Sequence, residues 1–311
     1  MGRPKVTVKK IHTLTGHRDS VFTLAPAASP KQFFSSGGDG QVAEWNLDNP
    51  NEGRLIAKVP TSVYALHYWK GENMLVVGQN TEGVHLIDLE SRAERGSIQL
   101  TKEAIFDIKM VGDMAWVACG DGMVVVVDAK NLQIVDRLTW GQKSARSIAV
   151  HPEQNELAIG YSDHTVRIVD VDTHTLKQTL AAHDNSVFTV VYDPRGRWLL
   201  SGSRDARFKA WRAQNGEYTL HEEVIAHMYA INHITYRPDG RYFATGSMDK
   251  AVKVWDADTF QLLKVIDKAR HAGHGTSVNK LWWSTFDDQL VSGSDDRTLS
   301  VWDITFEAQE I

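Results

Sequence analysis

A chain of 311 residues that is 42% hydrophobic and 23% charged has the composition of a globular protein able to bury a sizeable core. Its net charge of −5 excludes the broad basic surface of a general nucleic-acid binder, and no apolar run approaches the ~20 residues that span a bilayer. The single cysteine, Cys119, cannot close an intrachain disulfide, and MGRPKVTVKK lacks the apolar stretch of a secretory signal. A cytoplasmic protein without nucleic-acid or membrane partners is therefore expected.

In chain order, the first predicted element is a strand over Lys5 to Leu14, leading into Gly16-His17. A phrase then follows that recurs later: His17, Ser35, Asp39 and Trp45. It returns in register as His183, Ser201, Asp205 and Trp211, as His227, Thr245, Asp249 and Trp255, and as His274, Ser292, Asp296 and Trp302. Between the first and second copies, Ile87, Val127 and Val169 hold the Trp position, with Val77, Val117 and Ile159 at the hydroxyl position and no His in place. The steps between successive Trp positions are 42, 40, 42, 42, 44 and 47 residues, which makes seven units. Each unit reads as short strands broken by Gly, Asp, Asn and Pro, with no convincing amphipathic helix. The fifth shows all four strands: 187–192, 198–201, 208–211 and 218–224. The longest step contains Lys268 to Gly275, read as an extended loop on one face.

Seven units of this length, with Gly16-His17, Trp255-Asp256, Trp302-Asp303 and Ser-Gly-Ser-x-Asp turns, resemble the Trp-Asp (WD) repeat β-propeller family over nearly the whole chain. The resemblance implies an all-β fold: a seven-bladed β-propeller of four-stranded antiparallel blades, read as one domain over residues 1–311. Since little chain follows Trp302-Asp303, the N-terminal strand is expected to complete the last blade and close the ring.

The resemblance also implies that each full His, Ser/Thr, Asp and Trp set is a buried hydrogen-bonded network, because an indole only donates, a carboxylate only accepts, and hydroxyl and imidazole do both. A His/Ser/Asp set invites comparison with a catalytic triad, but fourfold recurrence with Trp favours a structural role. The second to fourth units, lacking these sets, are expected to hold by apolar packing alone and to exchange amide hydrogens sooner, with Asp121 and Asp163 capping their turns.

Function in such propellers is expected at the narrow top face. The position five beyond the His, carried by register into all seven units, places Phe22, Tyr64, Phe106, Ser147, Phe188, Asn232 and Asn279 at the mouth of the axial channel, with Arg204, Tyr229, Met248 and Asp295 on the rim. The expected function is a non-enzymatic scaffold that binds a protein or peptide there, without cofactor or metal. Two alternatives are kept. The aromatics could form a pocket that reads one cationic side chain of a peptide, or the chain could be a propeller-type enzyme, disfavoured because its Asp/His pairs are all taken up in the networks. The spacing of His271 and His274 is metal-like, but no third ligand accompanies it.

Overall fold

The computed structural model describes residues 4–214 and 216–307; residues 1–3, 215 and 308–311 lie outside it. Its strands group into seven four-stranded antiparallel sheets. Six of them are simple meanders, running from an inner strand to an outer one in chain order. The seventh joins Val278–Trp283, Leu290–Ser294 and Thr298–Glu307 to the N-terminal strand Lys5–Thr15. Antiparallel pairing runs from Lys5 opposite Glu307 to Thr15 opposite Thr298, with one irregularity between Lys10 and His12. The inner strands touch in a closed circle, the seventh against the first. The chain is therefore a seven-bladed propeller whose ring is closed by its N-terminal strand.

A blade lies between two others, so its middle strands bury both faces. Met123–Asp128, with sequence MVVVVD, keeps only its end residues partly exposed. Outer strands meet solvent on one side and alternate instead: Gln133–Thr139 has half-buried residues at every second position. The apolar core is correspondingly divided into seven clusters, one in each interface between neighbouring blades. Between the fifth and sixth blades, for example, Phe208 meets Phe243 and Trp255 edge-on at centroid distances of 5.3 and 5.1 Å. Such pairs contribute about 0.5–1.5 kcal/mol beyond the area they bury.

The glycine of the Ser-Gly-Ser motif has its explanation in this interlocking. A Cβ on Gly202 would lie 2.8 Å from Thr189 Cγ2 and 3.0 Å from Ile231 Cγ2 of the next blade's inner strand. Gly78, Gly160, Gly246 and Gly293 face the following blade in the same way, and Ser36 and Ala118 take that position in the first and third blades. One small residue per blade thus sets how closely the next inner strand approaches.

The segment read as an extended loop differs from expectation. Lys268–His271 forms a single helical turn, started by the Asp267 side chain accepting from the Arg270 amide and stopped by Ala272 at φ 53°. The capping carboxylate outweighs a sequence too short to show helical periodicity. Lys10 ties the turn to the N-terminal strand by donating to the Ala272 carbonyl at 2.9 Å.

Candidate functional site

Each inner strand begins with an irregularity in its pairing, as between Val21 and Thr23 or between Ile231 and His233. The extra residue is turned out of the ladder at the mouth of the ring. In blade order these residues are Phe22, Tyr64, Phe106, Arg146, Phe188, Asn232 and Asn279. In the fourth blade the residue is Arg146, and the count that led to Ser147 is one position too long. No His exists there to anchor the count. Ser147 is buried, and its Oγ accepts from the Val190 amide of the next blade at 3.2 Å.

The mouth has two halves of different chemistry. Phe22 and Tyr64 lie 4.6 Å apart by centroid, and Tyr64 and Phe106 5.7 Å. The Arg146 guanidinium then sits 3.8 Å from the Phe106 ring centroid and 4.7 Å from that of Phe188, continuing the arc into the fifth blade. Burial pulls its pKa down to about 10, partly offset by Tyr64, so it remains charged at neutral pH. The other half is a polar chain. Asn232 Nδ2 donates to Ser277 Oγ and the Val278 carbonyl, both at 2.9 Å, and Asn279 Nδ2 donates to Asp295 at 2.7 Å and the Val21 carbonyl at 3.0 Å. These bonds stitch the sixth, seventh and first blades together at the rim.

Beneath the rim, the four units with a full His, Ser/Thr, Asp and Trp set each hold these side chains in one linked network. In the fifth blade Trp211 Nε1 donates to Ser201 Oγ at 2.9 Å, Ser201 meets His183 Nε2 at 2.8 Å, and His183 Nδ1 meets Asp205 at 2.9 Å. The first blade repeats this through Trp45, Ser35, His17 and Asp39, the sixth through Trp255, Thr245, His227 and Asp249, and the seventh through Trp302, Ser292, His274 and Asp296. Each carboxylate also accepts backbone N–H groups, those of Asp184 and Arg207 for Asp205. Burial alone would push the Asp205 carboxyl up, but the His183 bond and those amides hold it down at about 2. Burial conversely lowers the His227 pKa, so that pair is a neutral imidazole donating to a carboxylate. Every serine or threonine oxygen in these sets is fully buried and accepts an indole N–H, which leaves no room for a nucleophile to meet a substrate. His274 is committed to this network, so the His271/His274 spacing supplies no metal pair.

Of the middle three blades, the third and fourth are not held by apolar contacts alone. Thr101 Oγ1 donates to Asp121 at 2.8 Å in the third blade, standing where His would be. In the fourth, Asp163 accepts from Thr165 and Arg167, both at 2.6 Å, while the Arg167 guanidinium stacks 4.1 Å from the Tyr161 ring centroid. Asp121 and Asp163 also accept the amides two residues on, as turn caps do. Polar links survive there because a turn carboxylate needs donors whether or not a His is present.

On the rim, Tyr229 and Met248 are 61% and 51% exposed, and Met228, which the sequence reading passed over, is 81% exposed. Hydrogen bonds from backbone and side chains hold the segments carrying them side by side. The Met248 amide donates to the Ala230 carbonyl, the Met228 amide to Asp249, and Ser247 Oγ to the Tyr229 carbonyl. The same loop is tied to the fifth blade, where the Ala206 carbonyl accepts from Ala226 and His227 next to exposed Arg204. Asp295, on the seventh blade, is also exposed.

A closed ring of seven antiparallel blades, stapled in four of them by His, Ser/Thr, Asp and Trp, defines a β-propeller of repeating units. The chain belongs to the WD-repeat family: residues 8–46, 174–212, 218–256 and 266–303 match the WD domain, G-beta repeat. These are the four units that carry the complete network. The chain is 20% identical over 245 residues to the striatin homolog of Dictyostelium discoideum, covering 67% of this chain and 30% of that protein. It is 24% identical over 216 residues to the protein groucho of Drosophila melanogaster, covering 66% and 29%. The WD repeat-containing protein SL1-17 of Schistosoma mansoni is 23% identical over 166 residues, covering 53% and 55%. The chain thus spans less than a third of the first two relatives. Among the described residues no helix is long and apolar enough to cross a membrane.

Proposed function

We propose that the protein is a non-enzymatic scaffold that docks a partner protein on its top face, with the Met228, Tyr229 and Met248 patch as anchor and Arg204 at its edge. WD-repeat propellers are generally non-enzymatic interaction platforms, which supports this class of function. The observation that favours this part of the face is three large exposed apolar side chains on segments already fixed by hydrogen bonds. Aromatic and methionine side chains are common interface anchors, and a preorganised loop loses little entropy on binding. Scattered exposed apolar residues elsewhere, such as Val135 and Leu176, need no such explanation.

The narrower reading, a pocket for one cationic side chain, is less favoured. Arg146 already fills the space between Phe106 and Phe188, and an incoming cation would have to displace it. An enzyme is disfavoured by the loaded hydroxyls of the networks. A reducing, cytoplasmic setting suits Cys119, a buried thiol that burial pushes up to about 12. The test is quantitative affinity capture from native lysate with the wild type, Met228→Ala/Tyr229→Ala/Met248→Ala, and Val150→Asp at the opposite end of an inner strand. The triple variant should lose the specific partner while melting like the wild type, and Val150→Asp should retain it. Equal capture by the triple variant would reject this face.

A further inference from the structure

The interior of the ring contains charges that neither the blade networks nor the docking face uses. Side chains alternate along a strand, so residues two apart on an inner strand share one side. Asp107 and Lys109 form such a pair in the third blade, with Lys109 Nζ 2.8 Å from the carboxylate. Apolar Ile108 points between the blades and is fully buried. Lys280 of the seventh blade and His233 of the sixth stand one residue below the mouth, and His67 of the second blade stands level with Lys109. The third and seventh blades are not neighbours, yet Lys280 feels the charges of both Asp107 and Lys109. They approach one another across the axis.

The donors and acceptors in this cluster do not balance. Asp107 is already engaged: its oxygens accept from the Ile108 amide at 3.0 Å, the Ile148 amide at 2.8 Å and Lys109. His233 Nδ1 accepts from the Leu281 amide at 3.3 Å, so its proton sits on Nε2. Among the described residues the Lys280 ammonium forms no hydrogen bond and no ion pair, although it is largely enclosed. Lys109 retains two further N–H donors. What remains available is therefore a set of donors bearing net positive charge, assembled from three blades about 3–10 Å below the mouth by strand rise. Enclosed cations without an acceptor are costly unless something anionic joins them.

We propose that the axial channel is a binding site for a small inorganic oxyanion, held by Lys280 and Lys109 from opposite sides and by the Nε2–H of His233. The electrostatics agree with this assignment. Burial pushes the Lys280 ammonium down to about 8, with Lys109 adding repulsion and Asp107 opposing both. Burial, then the two lysines, drives the His233 pKa well below its ordinary value; burial and Lys109 bring His67 to about 4 against the pull of Asp107. Both imidazoles are thus neutral donors or acceptors at neutral pH, and the charge a ligand meets comes from the lysines. An oxyanion would favour the protonated ammonium and raise the Lys280 pKa.

Inorganic sulfate is the probe, since its charge is constant across the relevant pH range. Calorimetric titration of the full chain at fixed ionic strength should give saturable binding of one sulfate at neutral pH. Affinity should fall at least tenfold as pH rises from about 7 to about 9.5 and Lys280 loses its proton. Lys280→Gln should lose at least tenfold at pH 7 while keeping the wild-type circular dichroism. In the wild type, sulfate should also shift the imidazole ¹H–¹⁵N signals of His233, a readout that survives if the variant folds poorly. Absence of saturable binding, binding indifferent to pH, or full binding by a folded Lys280→Gln would overturn the proposal.

Discussion

Ser201 shows what one residue contributes to this ring. Its hydroxyl oxygen takes the Trp211 indole N–H, and its proton goes to His183. Ser201→Ala removes both bonds at once and leaves a buried donor and a buried acceptor unsatisfied, which costs about 1–3 kcal/mol. Chemical denaturation should show a lower midpoint with an unchanged slope; an unchanged midpoint would mean the network adds nothing. Acid addresses the same sets through their carboxylates. The carboxyls of Asp205 and Asp249 are held at about 2, below their ordinary 3.8. A lowered folded-state pKa means that the folded form releases its proton first, so the stabilisation is complete above about pH 4 and lost as pH falls towards 2. Thermal melting between pH 5 and pH 2 should show that decline, and Asp205→Asn/Asp249→Asn should flatten it. These side chains were legible in the sequence because four residue types recur at fixed spacing. Arg146 was not, since the fourth unit has no His from which to count.

The difference between stapled and unstapled blades belongs to the scale of whole elements. The first, fifth, sixth and seventh blades each tie inner loop, second strand, turn and third strand together through one side-chain network. The second has Thr81 in place of the turn Asp, and the third and fourth have smaller sets, Thr101–Asp121 and Asp163 with Thr165 and Arg167. Amide exchange should therefore be fastest in the central strands of the second blade, intermediate in the third and fourth, and slowest in the stapled four. Slowest exchange in Met74–Gln79 and Gly83–Asp88 would contradict this ranking. Strand positions were readable from alternation and turn residues. The one helical turn was not, because four residues carry no periodicity and only Asp267 marks its start. Close packing between elements was half-readable. The Ser-Gly-Ser glycines stood out as turn residues, whereas their reason is the next blade's inner strand. Gly202→Val should accordingly cost about 1–3 kcal/mol as overpacking does, measurable in the same denaturation experiment.

At the scale of the molecule, the seven units, closure by the N-terminal strand and the top face follow from repetition along the chain. The chemistry inside the ring does not, because Asp107, Lys109, His233 and Lys280 belong to distant units and meet only once the circle closes. The same holds for the proposed anchor patch, where Met228 joins Tyr229 and Met248 through hydrogen bonds that no residue pattern announces. The measurement that tests the scaffold most directly is hydrogen–deuterium exchange of the propeller alone and with its captured partner. Protection should appear in the loop 226–230, the turn 247–249 and the neighbouring 204–206, with outer strands unchanged. Protection confined to outer strands or to the opposite face, with those three segments unaffected, would contradict docking on the top of the ring.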